Sequence, residues 1–191
     1  MHKTKKQIIL ASASPRRQKL LKKVIKSFTI VPSHVDESTI RAKTSEAFAV
    51  KAALAKAEEI ALKHKNSIVI GADTIVVLGN EILGKPRSKK EATAMLKSLS
   101  GKIHKVITGL AVVDTNTFKK ITDYEITKVR MGKPSIKLIK EYVDSGRPID
   151  KAGAYGIQEI KKEFIDGIEG DYDNVVGLPV ARIKELLKKF S

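Results

Sequence analysis

The chain has 191 residues, of which 42% are hydrophobic and 30% are charged, and its formal net charge is +16. This length predicts a single domain over residues 1–191, with a core that needs no disulfide or metal to hold it. The absence of cysteine excludes disulfides, thiolate catalysis and cysteine-ligated zinc, and no apolar run approaches the roughly 20 residues of a membrane span. The apolar run at 8–11 is too short for a secretion signal, so we expect a cytoplasmic protein.

Hydrophobic periodicity divides the first half of the chain into strands and helices. The first helix begins after Ser14, a good N-cap, with Pro15 in the first helical position. In chain order, we predict a strand at 6–11, a helix at 15–26, a strand at 28–31, a helix from 44 or 45 to about 65, a β-rich segment at 67–78 and, after a turn at 79–80, a strand at 81–83.

The second half of the chain continues the alternation of strands and helices. In chain order, we predict a helix at 91–99, strands at 106–114 and 118–131 joined by a turn at 115–116, a helix at 135–145 closed by Gly146, and an amphipathic helix at 178–190. Two hairpins interrupt the alternation. This pattern predicts an α/β fold with a mixed twisted sheet and flanking helices, and not a purely parallel sheet.

The positive charge favours an anionic partner, which would be nucleic acid, a membrane surface or phosphates. Proteins that bind single-stranded nucleic acid usually combine basic residues with stacking aromatic side chains. The five Phe and four Tyr of this chain do not cluster, and its 37 Lys and Arg are spread along the sequence. A general enrichment in lysine explains most of the excess charge, and we predict neither a nucleic-acid nor a membrane partner.

The segment SASPRR at 12–17 places hydroxyl groups and arginines where the first strand enters a helix. The positive end of the helix dipole lies there, so Arg16 and Arg17 are unfavourable unless an anion binds. Ser12, Ser14 and both guanidinium groups could converge on phosphates. The alternative is that both arginines point into solvent, at a cost of only a few tenths of a kcal/mol.

Asp73 interrupts the apolar segment SIVIGADTIVVLG at 67–79. An unpaired ionised carboxylate in such a setting is costly, so we expect it to pair, to bind a metal or to face a cleft. Gly71, just before it, permits a bulge or a close backbone approach. The alternative is a turn aspartate that follows a short strand at 68–70.

Two lysines and the histidines complete the set of candidates. Lys56 interrupts an apolar helical face, which snorkelling would explain, and Lys85 lies in the stiff turn LGKPRS, which simple exposure would explain. The four histidines have no metal-binding spacing, and we predict a structural role for His104. Cations around an embedded carboxylate, without a nucleophile–histidine pair, indicate metal-assisted attack of water on a phosphate ester or anhydride.

These motifs resemble the Maf family of nucleotide pyrophosphatases over almost the whole chain. The resemblance rests on segments that recur in a fixed order, of which the first and fourth are the most specific. They are LASASPRRQKLL, VDE at 35–37, VKAALAKAEEIA at 50–61, VIGADTIVVLGNEILGKP at 69–86, MLKSLSGKIHKVITGLAVV at 95–113, DKAGAYGIQ at 150–158 and GDYDNVVGLP at 170–179.

The resemblance implies an enzyme that cleaves nucleoside triphosphates between the α and β phosphates with Mg²⁺ or Mn²⁺. It also implies an elongated, two-lobed fold similar to that of inosine-triphosphate pyrophosphatases, often assembled as a homodimer. The family's catalytic aspartate falls on Asp73, which would hold the metal together with Glu37. The other implied catalytic residues are Lys56 and Lys85, and the implied triphosphate-binding residues are Ser12, Ser14, Arg16 and Arg17.

The branch of the family that prefers dTTP and UTP is marked by residues that fall on Arg16, Thr74 and Gln158. The resemblance therefore implies a house-cleaning enzyme for these and modified pyrimidine triphosphates, and a glutamine amide suits the imide edge of thymine or uracil. Glu159 replaces a glycine common in relatives, which puts base selectivity and pyrophosphate release in doubt. The alternatives are the branch that prefers 7-methyl-GTP, a regulator of septum formation acting through a partner protein, and a nucleic-acid-binding protein.

Overall fold

The computed structural model describes residues 6–190, in which strands and helices alternate. The strands are β1 (Gln7–Leu10), β2 (Thr29–Ile30), β3 (Ser67–Leu78), β4 (Glu81–Leu83), β5 (Ile103–Asp114), β6 (Lys120–Met131) and β7 (Ile165–Glu169). The α-helices are α1 (Pro15–Leu21), α2 (Ser45–Ala61), α3 (Lys89–Leu99), α4 (Ile136–Asp144), α5 (Tyr172–Val176) and α6 (Val180–Lys188). In the same range, 3-10 helices lie at Glu37–Thr39, Arg147–Asp150, Ala152–Ala154 and Lys162–Phe164. No helix between residues 6 and 190 is both long and apolar enough to cross a membrane.

The strands within residues 6–190 form one mixed sheet in the order β2–β1–β3–β5–β6–β7, with β4 paired to β3. Strand β1 pairs in parallel with β2 and with β3, so that Leu10 lies opposite Ile30 on one side and Ile70 on the other. Strands β4 and β7 pair antiparallel with β3 and β6. The predicted mixed sheet with flanking helices is therefore confirmed.

The predicted boundaries differ most in the first helix and in the last third of the chain. Helix α1 ends at Leu21 and not near residue 26, because the amides of Lys23 and Val24 donate to carbonyls three residues back, at 3.0 and 2.9 Å. The sequence does not predict β7 or α5, which have five residues each. Segments this short are too brief for a hydrophobic period to be recognised.

The described residues form two compact units. The first unit comprises the described part of Met1–Asp73, Thr108–Glu125 and the described part of Gly177–Ser191, and the second comprises Thr74–Ile107 and Ile126–Val176. Each unit has its own hydrophobic core, which in the first packs apolar residues of β1 against α2 and in the second packs α3 and α4 around Phe164. The single domain predicted over the whole chain stays a prediction.

Helix α2 lies unusually close to two strands of the first unit, because each strand has a glycine at the point where the helix packs on it. A Cβ atom at Gly71 of β3 would lie 2.1 Å from the carbonyl oxygen of Ala53, and one at Gly109 of β5 would lie 2.2 Å from that of Ala49. No side chain fits at such distances. The sequence expectation of a close backbone approach at Gly71 is therefore confirmed.

Candidate functional site

Asp73 is buried in the middle of β3, where 4% of its surface is exposed. The strand continues through it to Leu78, so the alternative of a turn aspartate is wrong. Its Oδ1 atom accepts a hydrogen bond from Lys56 Nζ at 2.6 Å. Its Oδ2 atom is buried and accepts no hydrogen bond from any residue between 6 and 190. A buried carboxylate oxygen normally meets a donor or a cation, so Asp73 has the capacity to bind one more group.

Lys56 joins Asp73 to a second carboxylate. Its Nζ atom lies 2.5 Å from Glu37 Oε1 and 2.6 Å from Asp73 Oδ1, and only 12% of its side chain is exposed. Snorkelling would leave the ammonium group in water, so that explanation of the lysine is wrong. One ammonium in contact with both acids shows that the two carboxylates converge on a single cation.

The glycine under α2 explains why Lys56 reaches the strand. Gly71 and Asp73 are two residues apart on β3 and therefore lie on the same face of the sheet. A Cβ atom at Gly71 would point at Ala53 and Ala57, the residues that flank Lys56 on the inner side of α2. Because glycine lets the helix approach this face, the lysine side chain meets the carboxylate without extending into solvent.

Glu37 is the acid of the VDE segment that contributes to the site. The preceding Asp36 is the N-cap of the 3-10 helix, and its side chain accepts a hydrogen bond from Ser38 N–H at 2.9 Å. Hydrogen bonds from the Ser38 side chain and then from its N–H group lower the pKa of the Asp36 carboxyl. Asp36 is thus used as a cap, whereas Glu37 is partly exposed and pairs with Lys56.

The turn between β1 and α1 holds Arg17 by its side chain. Ser14 is the N-cap, as predicted, and its hydroxyl accepts the Arg17 N–H at 3.5 Å. The guanidinium group donates from Nη1 to Ser12 Oγ at 3.3 Å and from Nε to the carbonyl of Gly177 at 2.9 Å. The alternative in which both arginines point into solvent is therefore wrong for Arg17, and Arg16 is half-buried beside it.

Arg17 is also linked to the carboxylates by charge. Burial lowers the pKa of the Arg17 guanidinium, and the negative charges of Asp73 and then Glu37 oppose this shift. The neighbouring positive charge of Arg16 lowers it further. The first unit therefore brings six of the predicted residues together in one charged neighbourhood: Ser12, Arg16, Arg17, Glu37, Lys56 and Asp73. Ser14 supports this neighbourhood as the N-cap of α1.

The second unit contains the three remaining predicted residues. Thr74 is half-buried on β3, Lys85 is exposed in the turn after β4, and Gln158 is exposed in the turn after Tyr155. The Gly153 N–H donates to the carbonyl of Gly84 at 3.0 Å, which ties the loop before Gln158 to the turn that carries Lys85.

The acids of the site suit a metal that is shared with a ligand. Between residues 6 and 190, no group of three or more His, Cys, Asp or Glu could hold a metal ion. The site offers two carboxylates, Glu37 and Asp73, and one buried oxygen of Asp73 accepts no hydrogen bond from residues 6–190. Magnesium sites commonly use one or two carboxylates plus water and substrate phosphates. The residues present therefore fit a divalent cation that polyphosphate oxygens help to coordinate.

Sequence reasoning missed two residues that organise these loops. Gly177 binds Arg17, and its only sequence signal is the glycine in VVGLP. Lys151 is buried between Asp150 and Glu159, and its signal is a lysine inside the glycine- and alanine-rich stretch DKAGAYG. By contrast, His104 is structural as predicted, since its Nε2 atom lies 2.7 Å from Tyr155 Oη and burial lowers its pKa to about 4.

The fold and the site define a mixed α/β protein whose paired cations and carboxylates suit a metal–phosphate ligand. The solved structure of the Staphylococcus aureus Ham1 protein has this fold, with a TM-score of 0.54 and 15% identity over 97% of this chain and 100% of that one. At this identity the likeness concerns the fold alone.

A family profile described as Maf-like protein matches residues 7–190, and the chain belongs to this family. A relative from Clostridium botulinum (strain Kyoto / Type A2) is 46% identical over 95% of this chain and 96% of its own length. A relative from Alkaliphilus oremlandii (strain OhILAs) is 47% identical over 96% of this chain and 95% of its own length. Both relatives are named dTTP/UTP pyrophosphatase.

Proposed function

We propose that the protein is a cytoplasmic pyrophosphatase that hydrolyses dTTP, UTP and modified pyrimidine triphosphates to the monophosphate and pyrophosphate. The names of its close relatives support this proposal. The structural observation that carries it is the buried carboxylate of Asp73, which bonds Lys56 through Oδ1 and keeps Oδ2 unbonded within residues 6–190. A buried acid with one such oxygen suits a group that handles a water molecule or a cation at a phosphate.

The triphosphate would bind at the turn between β1 and α1. Arg16 and Arg17 would neutralise its charge, and the hydroxyls of Ser12 and Ser14 would donate hydrogen bonds to its oxygens. Arg17 is already held by Ser12 and by the carbonyl of Gly177. A donor that is fixed before the reaction needs little reorganisation when charge develops on the phosphates.

The carboxylates would hold the metal and prepare the water. Glu37 and Asp73 would bind Mg²⁺ or Mn²⁺ together with phosphate oxygens. When bound, the metal supplies Lewis-acid stabilisation of the phosphate charge. Asp73 would orient the water that attacks the α-phosphorus and accept its proton, while the bond from that phosphorus to the bridging oxygen breaks. Lys56 and Lys85 would stabilise the charge on the departing pyrophosphate.

The base would be recognised in the second unit. The exposed amide of Gln158 has a donor and an acceptor, which match the imide edge of thymine and uracil. Thr74, next to the catalytic aspartate on β3, would contribute to the same preference.

Pyrophosphate release from a panel of triphosphates with Mg²⁺ or Mn²⁺ tests this function. The panel contains dTTP, UTP, 5-methyl-UTP, CTP, GTP, ITP and 7-methyl-GTP, and we expect the fastest release from dTTP and UTP. A preference for 7-methyl-GTP would keep the chemistry and overturn the base assignment. No release from any of them would overturn the enzymatic proposal, and tight, steeply salt-dependent binding of oligonucleotides would then favour a nucleic-acid-binding protein.

A further inference from the structure

The turn that presents Gln158 is connected to a buried lysine. Only 6% of Lys151 is exposed, and its ammonium group meets three acceptors. They are the carbonyl of Arg147 at 2.6 Å, Asp150 Oδ1 at 2.6 Å and Glu159 Oε2 at 3.0 Å. An ammonium group has three donors, so the environment of this lysine is complete.

The aliphatic stem of Lys151 also supports the start of the turn. A Cβ atom at Gly156 would lie 2.6 Å from Lys151 Cε, so the backbone of the turn rests directly on the lysine. The Gly156 N–H donates to Tyr142 Oη at 3.2 Å. The Gly156 carbonyl in turn accepts from the N–H groups of Glu159 and Ile160 at 2.9 and 3.2 Å. Lys151 therefore contacts both ends of the turn, Gly156 through its aliphatic stem and Glu159 through its ammonium group.

Packing alone does not require a lysine at this place. Burying an ion pair is often no better for stability than burying an apolar side chain of similar size, because the charges must leave water. Unlike an apolar group, an ammonium group makes directional hydrogen bonds, and these hold three acceptors at defined positions. One of these acceptors is Glu159, which directly follows Gln158 in the chain.

We propose that Lys151, acting through Glu159, is a positioning residue that sets the place of Gln158 and thereby the selectivity for uracil and thymine over cytosine. This inference rests on the proposed function. Hydrogen bonds weaken steeply with distance and angle, so a small displacement of the turn removes the discrimination made by the Gln158 amide. The turn contains none of the residues proposed to bind the triphosphate in the first unit, so we expect phosphate binding there to be unaffected.

A double-mutant cycle on base selectivity tests the proposal. The readout is the ratio of kcat/KM for UTP to that for CTP, two substrates with the same sugar and phosphates. Gln158→Ala is expected to lower this ratio about tenfold, and Lys151→Met to lower it several-fold. The double variant is expected to match Gln158→Ala, because a positioning residue has no effect once the residue it positions is gone. The inhibition constant of inorganic tripolyphosphate, which has no base, should stay the same in all of them.

Three further variants separate positioning from general structural damage. Lys161→Met removes an exposed lysine that pairs with Glu141 at 3.3 Å, and it should leave the ratio unchanged. Lys151→Arg keeps the donors and should recover part of the selectivity. Glu159→Gln keeps the shape of the side chain without its charge and should lower the ratio less than Lys151→Met does.

Three results would overturn the inference. They are an unchanged ratio in Lys151→Met, additive losses in the double variant, or an unchanged ratio in Gln158→Ala. If Lys151→Met does not fold, Glu159→Gln decides, and an unaltered ratio in that variant counts against the inference. If the wild-type protein releases no pyrophosphate from UTP or CTP, the proposed function itself fails, which is a different outcome from a working enzyme with unaltered selectivity.

Discussion

Two lysines with little exposed side chain, one in each unit, are each paired with two carboxylates, yet their surroundings differ. Lys56 meets its acids at 2.5 and 2.6 Å, and Lys151 meets its acids at 2.6 and 3.0 Å and also a backbone carbonyl. The two cations are thus held almost alike. The difference lies in the acids.

The acids around Lys151 reach water, whereas one of those around Lys56 does not. The side chains of Asp150 and Glu159 are 64% and 33% exposed, so solvent solvates the charge that the lysine leaves uncompensated. Asp73 is buried, and its second oxygen has no donor within residues 6–190. A network with every group satisfied holds a loop in place, while one with an unsatisfied buried oxygen is prepared to bind.

The largest expected effect is at the unsatisfied acid. Asp73→Asn keeps the size of the side chain but removes its charge and its basicity, so we expect turnover to fall about a thousandfold. Pyrophosphate release at saturating metal measures this, and the circular dichroism spectrum should stay that of the wild type. Asp144→Asn, at an exposed acid paired with Lys89, is the matched control. Normal turnover with unchanged metal dependence would remove Asp73 from the mechanism.

A smaller effect, on stability, is expected at His104 in the core of the second unit. Burial lowers the pKa of this histidine from 6.5 to about 4. Between these pH values the unfolded chain binds a proton that the folded protein does not, so the free energy of unfolding falls as the pH drops through this window. The shift corresponds to about 3 kcal/mol of stability, present at neutral pH and lost by about pH 4.

Urea unfolding between pH 7 and pH 4 measures the effect of His104. His104→Gln has no imidazole to protonate, so its unfolding free energy should depend less steeply on pH in this window. Other titrating groups contribute equally to both proteins and cancel in the comparison. Equal slopes for the wild type and the variant would contradict the prediction.

The smallest expected effect compares Lys56 and Lys151 directly. Lys56→Met should tighten Mn²⁺ binding to the nucleotide-free protein about tenfold, because the ammonium group competes with the metal for both carboxylates. Lys151→Met should leave this affinity unchanged, because its acids lie outside the proposed metal site. Titration with Mn²⁺, followed by the electron paramagnetic resonance signal of the free ion, measures both. An equal response of the two variants would mean that the sites do not differ as described.

Local signals in the sequence were sufficient to predict many of the strands and helices of the fold. The predicted strands at 67–78 and 81–83 match β3 and β4, because an apolar run and a Gly79-Asn80 turn are properties of neighbouring residues. The N-cap at Ser14 is confirmed for the same reason. The end of α1 was less predictable, because the apolar pattern continues past the residue where the backbone hydrogen bonds change.

The partners of the charged residues could not be predicted from local pattern. Periodicity around Lys56 favours a snorkelling lysine, but its acids lie 19 and 17 residues away in the chain. Arg17 meets the carbonyl of Gly177 across 160 residues. The pairing of Lys151 with Glu159 is equally hard to predict over a shorter span, since a 3-10 helix and a tight turn intervene between the two residues.

By itself the sequence determined the order of most strands and helices, the N-cap at Ser14, an acid at Asp73 in an apolar strand and the motifs of the family. These depend on side chains close together in the chain. Only the tertiary structure decided which cation meets which carboxylate and which oxygen of Asp73 accepts no hydrogen bond from residues 6–190. The reason is the packing of α2 on β3, where Gly71 lets the helix approach within a distance that no other residue permits and thereby brings Lys56 onto Asp73.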